Sequence, residues 1–500
     1  MSTFVAAFDV GTTSLKAILV TRDGKICHER KAALTTRMTE DGLVEQDPQE
    51  WFEAMCSVTC SWWKAGVKPS SISIIAMTGQ MQDLIPISLE KRALCRAILY
   101  SDMRAVAESE HINELFGKSF LREQLANTMT PASILPKMLH WRRQFPQSFR
   151  RTHRYLFGAK DYLIMMLCDR LVCDPTTAST TGLFLHGVQR WYTDILEKCD
   201  FSVSLMPDIE TAGSVVGSVN RSASKWTGFL QGTPITCGVG DAMAATLGAG
   251  IAEMNEAYIY LGTTAWVASF VPSVPLKLPA NDAIYTLAGQ DKDKDLRIAP
   301  VLNAGNIVSW ALTLVGCKPG DDATRFYELL EKEAAAAGDV APLTFVPYLN
   351  GERCPIQTDG QCGAFVGISA GTTMGQLARA VFNGLAQSLR WCAELLDVSE
   401  NGALRVVGGG ARSAVWLQAI ADAFGCPLIV SGRSEIQPAL GAASIAMQTI
   451  GWADTRSHFP LDDDGRVLIV PDVDLSMAMR DGHKRFKRLS EVIVGLERRS

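Results

Sequence analysis

Short apolar runs broken by Gly, Asp and Thr alternate with stretches of helical period along the whole chain. Residues 4–8 are apolar, pass through Asp9, Val10, Gly11, Thr12 and Thr13, resume over 15–20 and stop at Arg22, Asp23 and Gly24. That pattern predicts an antiparallel meander of strands. Helical spacing follows over 48–63, with Asp47 placed to cap it and Pro48 at its first position. A β-branched run over 71–77 predicts a strand that ends in a turn at Thr78, Gly79, Gln80 and Met81, and another apolar run, 97–100, gives way to Ser101 and Asp102. Helices are expected at 134–145 and 160–170, then a strand at 234–239 that stops at Gly240-Asp241 and feeds an Ala-rich helix, 242–250.

Strands restart at 257–261 and 266–271, joined by Gly262, Thr263 and Thr264. The strand, Gly-Thr-Thr, strand grammar of the N-terminus is thereby repeated, with Gly11 and Gly262 lying 251 positions apart. A repeat at half the chain length predicts two halves of similar α/β fold, with a boundary near 245–257. The second half continues with helices at 305–315, 321–337, 375–397, 413–424 and 438–449, and strands at 404–407 and 427–430. A basic amphipathic stretch, 475–499, reads as a terminal helix packed on the body rather than a membrane-binding one.

With 500 residues the chain is long enough for two or three domains, and 47% hydrophobic against 20% charged residues is globular composition. A net charge of −5 and the lack of any basic stripe argue against nucleic acid or an anionic membrane as partner. Thirteen cysteines without a CxxC pair point to reduced thiols. The first residues carry no basic leader and no run of 18 apolar residues occurs, so a cytoplasmic enzyme is expected.

Gly-Thr-Thr turns offer backbone N–H groups and hydroxyls with little bulk, which suits phosphate oxygens. Lys16, on the second strand of the first hairpin, faces either phosphate or solvent. Gly408-Gly409-Gly410-Ala411 links a strand to a helix start, where flat groups can lie on backbone and anions are favoured. Neither GxGxxG nor GxxxxGK[ST] occurs, which sets aside a Rossmann cofactor and a P-loop, and the lack of HExxH sets aside a catalytic zinc. Two carboxylates stand at strand ends beside glycine, Asp9 and Asp241. Asp9 suits Mg²⁺ held through water, and Asp241 suits either a general base or a helix cap.

In collinear order the chain carries FDVGTTSLKAIL, EQDPQEWF, MTGQMQDL, ILYSDMRA, LPKMLHW, KDYLIMML, GVGDAMAATLGAG, YLGTTAW, FVPYLNGERCP and VVGGGARSAVWLQAIADAFG. By that set it resembles the FGGY carbohydrate kinases, and within them the xylulokinases. The resemblance implies an actin-like, ribonuclease H-like two-domain α/β fold, with residues 1–248 and 249–500 enclosing an active-site cleft. It implies an ATP:sugar phosphotransferase with ATP and Mg²⁺, acting on a small-molecule sugar, and it admits a homodimer. Asp241 is then the base and, with Asp9, the metal-associated carboxylate. Gly11, Thr12, Thr13, Lys16, Gly262, Thr263 and Thr264 would face the phosphates, with Gly305, Gly409, Gly410 and Ala414 at the adenosine. Gln80, Met81, Gln82, Asp102 and Arg104 would form the sugar pocket. Two positions depart from the xylulokinase pattern: Met81-Gln82 stands for Met-His, and Tyr100-Ser101-Asp102 for Trp-Asn-Asp. D-Xylulose is the expected acceptor; gluconate, ribulose or a polyol is the alternative, and an actin- or chaperone-like ATPase the alternative of another class.

Overall fold

The computed structural model describes residues 3–39, 42–254, 256–273, 278–279, 281–318, 320–337, 343–398, 402–452 and 467–498. Its framework is two seven-stranded mixed sheets. In the first, Phe4–Val10 pairs antiparallel with Ser14–Thr21, and Ser14–Thr21 with Ile26–Ala33. On its other side Phe4–Val10 runs parallel to Ile72–Gly79, which in turn is parallel to Pro234–Thr236. The second repeats the plan. Ala257–Leu261 pairs antiparallel with Ala265–Pro272, that strand with Lys294–Val301, and Ala257–Leu261 runs parallel to Leu404–Val407 and then Leu428–Val430. The half-chain repeat is therefore a repeat of topology.

The strands form where the apolar runs predicted them, because both faces are covered: Val5, Ala6, Ala7 and Phe8 are all fully buried. The helix Pro48–Lys64 is capped by Asp47, whose side chain accepts from Gln49 N–H, and it buries Trp51, Met55 and Trp62 against the first sheet. At the other end of the chain Val473–Glu497 is a helix packed through His483, Phe486 and Val494, as its amphipathic pattern predicted. No helix among the described residues is long and apolar enough to cross a membrane.

One expectation fails. The chain does not turn at Gly79-Gln80; it continues as a second strand, Met81–Ile87, that leaves the first sheet for a separate five-stranded one built with Ala97–Ile98, Val44–Gln46 and Arg154–Gly158. Gln80 is the crossing residue, and its backbone N–H donates to Val10 O at 2.9 Å. Residue patterns on two strands of different sheets run together into one apolar stretch, so local periodicity gave no sign of the change.

The two halves meet through a pair of helices, Asp241–Gly248 and Gln437–Thr449. A β-carbon added at Gly248 would stand 1.9 Å from Gln437 O, and one at Gly441 would stand 1.9 Å from Ala244 O. Backbone thus touches backbone from both sides, which only glycine permits. The helix from the second half goes on to cover the first sheet, with Ala439, Leu440, Ala443 and Met447 packed on Val5, Ala7, Ile74 and Ala76.

Candidate active site

The ends of both hairpins and of the helix Asp241–Gly248 open into one cleft of about 530 Å³, lined among others by Asp9, Lys16, Gln82, Asp241, Thr264 and Gly409. Sequence positions up to 400 residues apart are thus brought together.

Asp9 sits opposite Lys16 in the first hairpin's register, so both side chains share a face. Burial pushes the Asp9 carboxyl up to about 6, against the lowering pull of Lys16. Lys16 also donates from Nζ to Glu435 O at 2.7 Å, which ties the first hairpin to the second half. Asp241 opens its helix, but the capping position is Gly240, and its carboxylate accepts from Ala242 N at 2.8 Å. The side chain therefore does not cap. Burial first, and then the like charge of Asp9, push Asp241 up to about 7. Two carboxyls that resist ionising together, with most of their lone pairs unused, are a hard-oxygen pair of the kind Mg²⁺ satisfies.

The Gly11–Thr13 turn of the first hairpin is held from below by a buried amide chain. Gln46 donates from Nε2 to Thr12 O at 2.5 Å and accepts at Oε1 from Trp51 Nε1 at 2.8 Å and Gln80 Nε2 at 2.7 Å, while Thr12 Oγ1 donates to Gln80 Oε1 at 3.1 Å. The Thr12 hydroxyl and Gln80 are spent on this bracing, whereas Thr13, Thr263 and Thr264 are exposed. In the second half Gly305 N donates to Gly262 O at 3.1 Å and Asn306 N to Thr263 O at 3.0 Å, so Gly305 lies behind the turn and not on the cleft wall. Buried Glu352 fixes that support, accepting from Leu302 N at 2.7 Å and Asn303 Nδ2 at 2.9 Å. Gly409 lines the cleft; Gly410 packs on Trp416 and Leu261, and Ala414 begins the next helix on its exposed side.

On the acceptor side, Met81 packs over Gly240 beside the Asp241 helix. Gln82 has a left-handed backbone, φ 65°, and its Nε2 donates to Thr180 O at 3.2 Å. That leaves the amide oxygen and the second N–H for a ligand. Asp102 and Arg104 are not in the cleft. Asp102 is fully buried and its oxygens accept from Val44 N at 2.6 Å and Arg104 Nε at 2.8 Å, while Arg104 Nη2 also reaches Glu45 at 2.8 Å. With every lone pair taken, the pair is a brace for the loop that carries Tyr100.

Sequence reasoning missed Lys137. It is fully buried and donates from Nζ to Gln82 O at 3.1 Å and Leu99 O at 2.7 Å, clamping the two segments that present Gln82 and Tyr100. Burial lowers its ammonium to about 8, although Asp83 opposes this, and burial raises Asp83 well above the carboxylate range. Asp83 in turn accepts from Tyr100 N at 3.1 Å. A buried Lys among apolar neighbours in LPKMLHW was the one available signal.

A second buried knot lies behind Thr180. Asp161, Cys173 and Asp174 offer clustered ligand atoms, but the Lys160 ammonium already occupies the position, 2.6 Å from Asp161 Oδ1 and 2.9 Å from Asp174 Oδ2.

The model of the FGGY family of carbohydrate kinases matches the chain with its N-terminal domain over residues 4–248 and with its C-terminal domain over 257–450. The xylulose kinase of Escherichia coli (strain K12) is 27% identical over 501 residues, covering 98% of this chain and 99% of that protein. Among solved structures, gluconate kinase from Lactobacillus acidophilus superposes with a TM-score of 0.89 at 22% identity, covering 99% of each chain. The ligand-bound xylulose kinase of Lactobacillus acidophilus gives 0.88 at 23% identity, covering 98% of each chain.

Proposed function

The chain belongs to the FGGY family of carbohydrate kinases, a family of ATP-dependent sugar phosphotransferases, and from that premise we propose that its acceptor is a ketopentose, D-xylulose, converted to D-xylulose 5-phosphate. The observation that carries the reading is Asp241, a carboxyl that accepts from Ala242 N, in the same cleft as two phosphate-type turns and Gln82. Residues 1–248 and 249–500 then form the two walls, and the helix Gln437–Thr449 is the exchange between them.

In the reaction the acceptor's terminal hydroxyl gives its proton to the Asp241 carboxylate as its oxygen bonds to the γ-phosphorus, and ADP leaves with the electrons of the broken bond. A base poised near neutrality suits that transfer. Asp9 and Asp241 would hold Mg²⁺, which neutralises phosphate charge when bound. The free hydroxyls of Thr13, Thr263 and Thr264 supply donors to the β- and γ-phosphates. Thirteen free cysteines suit a reducing, ATP-supplied cytoplasm.

Thr264→Val keeps the branched shape and removes one hydroxyl from the cleft. ADP affinity is expected to weaken by about 10- to 150-fold, the worth of one hydrogen bond to a charged group, with sugar affinity unchanged. Calorimetric titration of each ligand checks this; equal loss of both would mark a folding defect.

Gln82 tests the acceptor. Its amide is aimed by Thr180 O, and a sugar hydroxyl must pair with what remains. Gln82→Ala is expected to cost about 1–3 kcal/mol in kcat/KM on D-xylulose, while Gln82→His keeps or raises it. Kinetics of wild type and both variants across xylulose, ribulose, gluconate and a polyol decide the matter. If wild type prefers one of the others and Gln82→His moves it toward xylulose, the acceptor assignment is wrong and the kinase reading stands.

A further inference from the structure

The two hairpins of the internal repeat differ at a position that lines the cleft. Counting back two positions from the turn glycine gives Asp9 in the first hairpin and Tyr260 in the second. Their cross-strand neighbours follow suit: Asp9 faces Lys16, and Tyr260 faces Trp266. Both Asp9 and Tyr260 line the cleft. The second half therefore presents a phenol where the first presents a carboxylate.

Several features fix where that phenol lies. Strand residues alternate faces, so Tyr258 and Tyr260 share one. Tyr258 OH accepts from Thr246 Oγ1 at 3.2 Å, which docks this face on the helix Asp241–Gly248. Two strand residues advance about 6.8 Å and five helical residues about 7.5 Å, so Tyr260 stands level with the helix start at Asp241. The ring is held rigidly, stacked on Trp266 at 3.9 Å between centroids and 9° between planes, and Trp266 Nε1 is itself anchored on Tyr258 OH at 3.0 Å. A β-carbon on Gly262 would stand 2.7 Å from Tyr260 Cε1 and 3.0 Å from its hydroxyl, so the phenol sits at the root of the second phosphate turn. Burial and the charges of Asp241 and Asp9 raise its pKa, which keeps it a donor. Tyr258 is fully accounted for by its partners; the Tyr260 hydroxyl has no hydrogen-bond partner among the described residues.

We propose that Tyr260 is a further catalytic residue, whose phenolic O–H donates a hydrogen bond to the phosphoryl group as it passes between nucleotide and acceptor. The inference rests on the sugar-kinase reading of the cleft. No proton is transferred; the donor is pre-aimed by the stack and strengthens as charge spreads over the phosphoryl oxygens.

The test is steady-state kinetics of Tyr260→Phe with ATP and the acceptor found in the sugar panel. Phe keeps the stack and removes only the hydroxyl. The expected result is a kcat lower by about 10- to 100-fold, KM values for ATP and sugar within about twofold of wild type, and an unchanged melting temperature. ADP with aluminium fluoride and sugar, a mimic of the group in transit, should bind the variant more weakly than wild type, while ADP alone binds both equally. An unchanged kcat overturns the inference, and so does a rise in sugar KM alone, which would give the phenol to the acceptor. A wild type that turns over ATP without regard to any sugar overturns the acceptor reading and this inference together; an active wild type with an equally active variant overturns this inference alone.

Discussion

Asp241→Asn is expected to lower kcat by about 10²- to 10⁴-fold while ATP affinity stays within a few-fold of wild type. The amide fills the same space and still accepts the bond from Ala242 N, so only the capacity to take a proton is lost. The helix does not depend on it, since Gly240 holds the capping position. Two further signs mark the role. The wild-type rate should fall as pH drops and the carboxyl takes up a proton, a limb the variant should lack and one that bound Mg²⁺ would draw below the metal-free value of about 7. Stability should move the other way. A carboxyl raised from 3.8 to about 7 by folding contributes stability that is fully present below 3.8 and is lost as pH rises through 7. At pH 8 the Asn variant should therefore melt higher than wild type. Melting and initial-rate profiles from pH 5 to 9 test both signs; a variant that unfolds at every pH with normal activity per folded molecule would make Asp241 a structural residue.

Lys160→Met is expected to destabilise the protein by about 3–5 kcal/mol, because it leaves two carboxylates buried without their cation. Lys160 and its partners Asp161 and Asp174 are almost wholly inaccessible. Burial alone would lower the ammonium, yet the two carboxylates overcome it and raise it well above its ordinary value. The knot reaches the sugar pocket. Asp174 caps Pro175–Ser179, accepting from Thr177 N at 3.1 Å and Thr177 Oγ1 at 2.6 Å, and the next residue in the chain, Thr180, supplies the carbonyl that aims Gln82. Sugar KM should rise with the loss of stability. Adding Asp174→Asn to Lys160→Met should restore part of it, because one uncompensated charge is removed. Urea unfolding of the three proteins measures this, and a loss below about 1 kcal/mol for the single variant would mean that water reaches the knot.

These two residues show what a sequence yields and what it withholds. Asp241 was legible because its strand, its glycine and its helix are neighbours in the chain, and so were the two hairpins, whose turn chemistry is local. Lys160 lay inside KDYLIMML without a visible role, since Asp174 is 14 positions away and nothing in helical period announces the pairing. Gln46 and Lys137 are the same case: each is a buried polar residue with partners from other elements, Thr12 and Gln80 at 34 residues for Gln46, and Leu99 at 38 and Gln82 at 55 for Lys137. Asp102 and Arg104 show the converse. The family resemblance implied a sugar contact, but a carboxylate this close to a guanidinium and a backbone N–H satisfies those first. Tyr260 was visible only as one strand residue of a hairpin; its counterpart relation to Asp9 needs the register of both sheets.

The touching of Gly248 and Gly441 has a bearing on how such a molecule answers its ligands. The helix that ends at Gly248 begins, about 10 Å away, at Asp241, so one helix carries the proposed proton acceptor at one tip and the seam between the halves at the other. Backbone meets backbone at both glycines, so a displacement of the second half at this seam would be passed along the helix to its Asp241 end. A methyl group added at either glycine would act as a shim, holding the helix off its line and mis-aiming the Asp241 carboxylate in an otherwise untouched cleft.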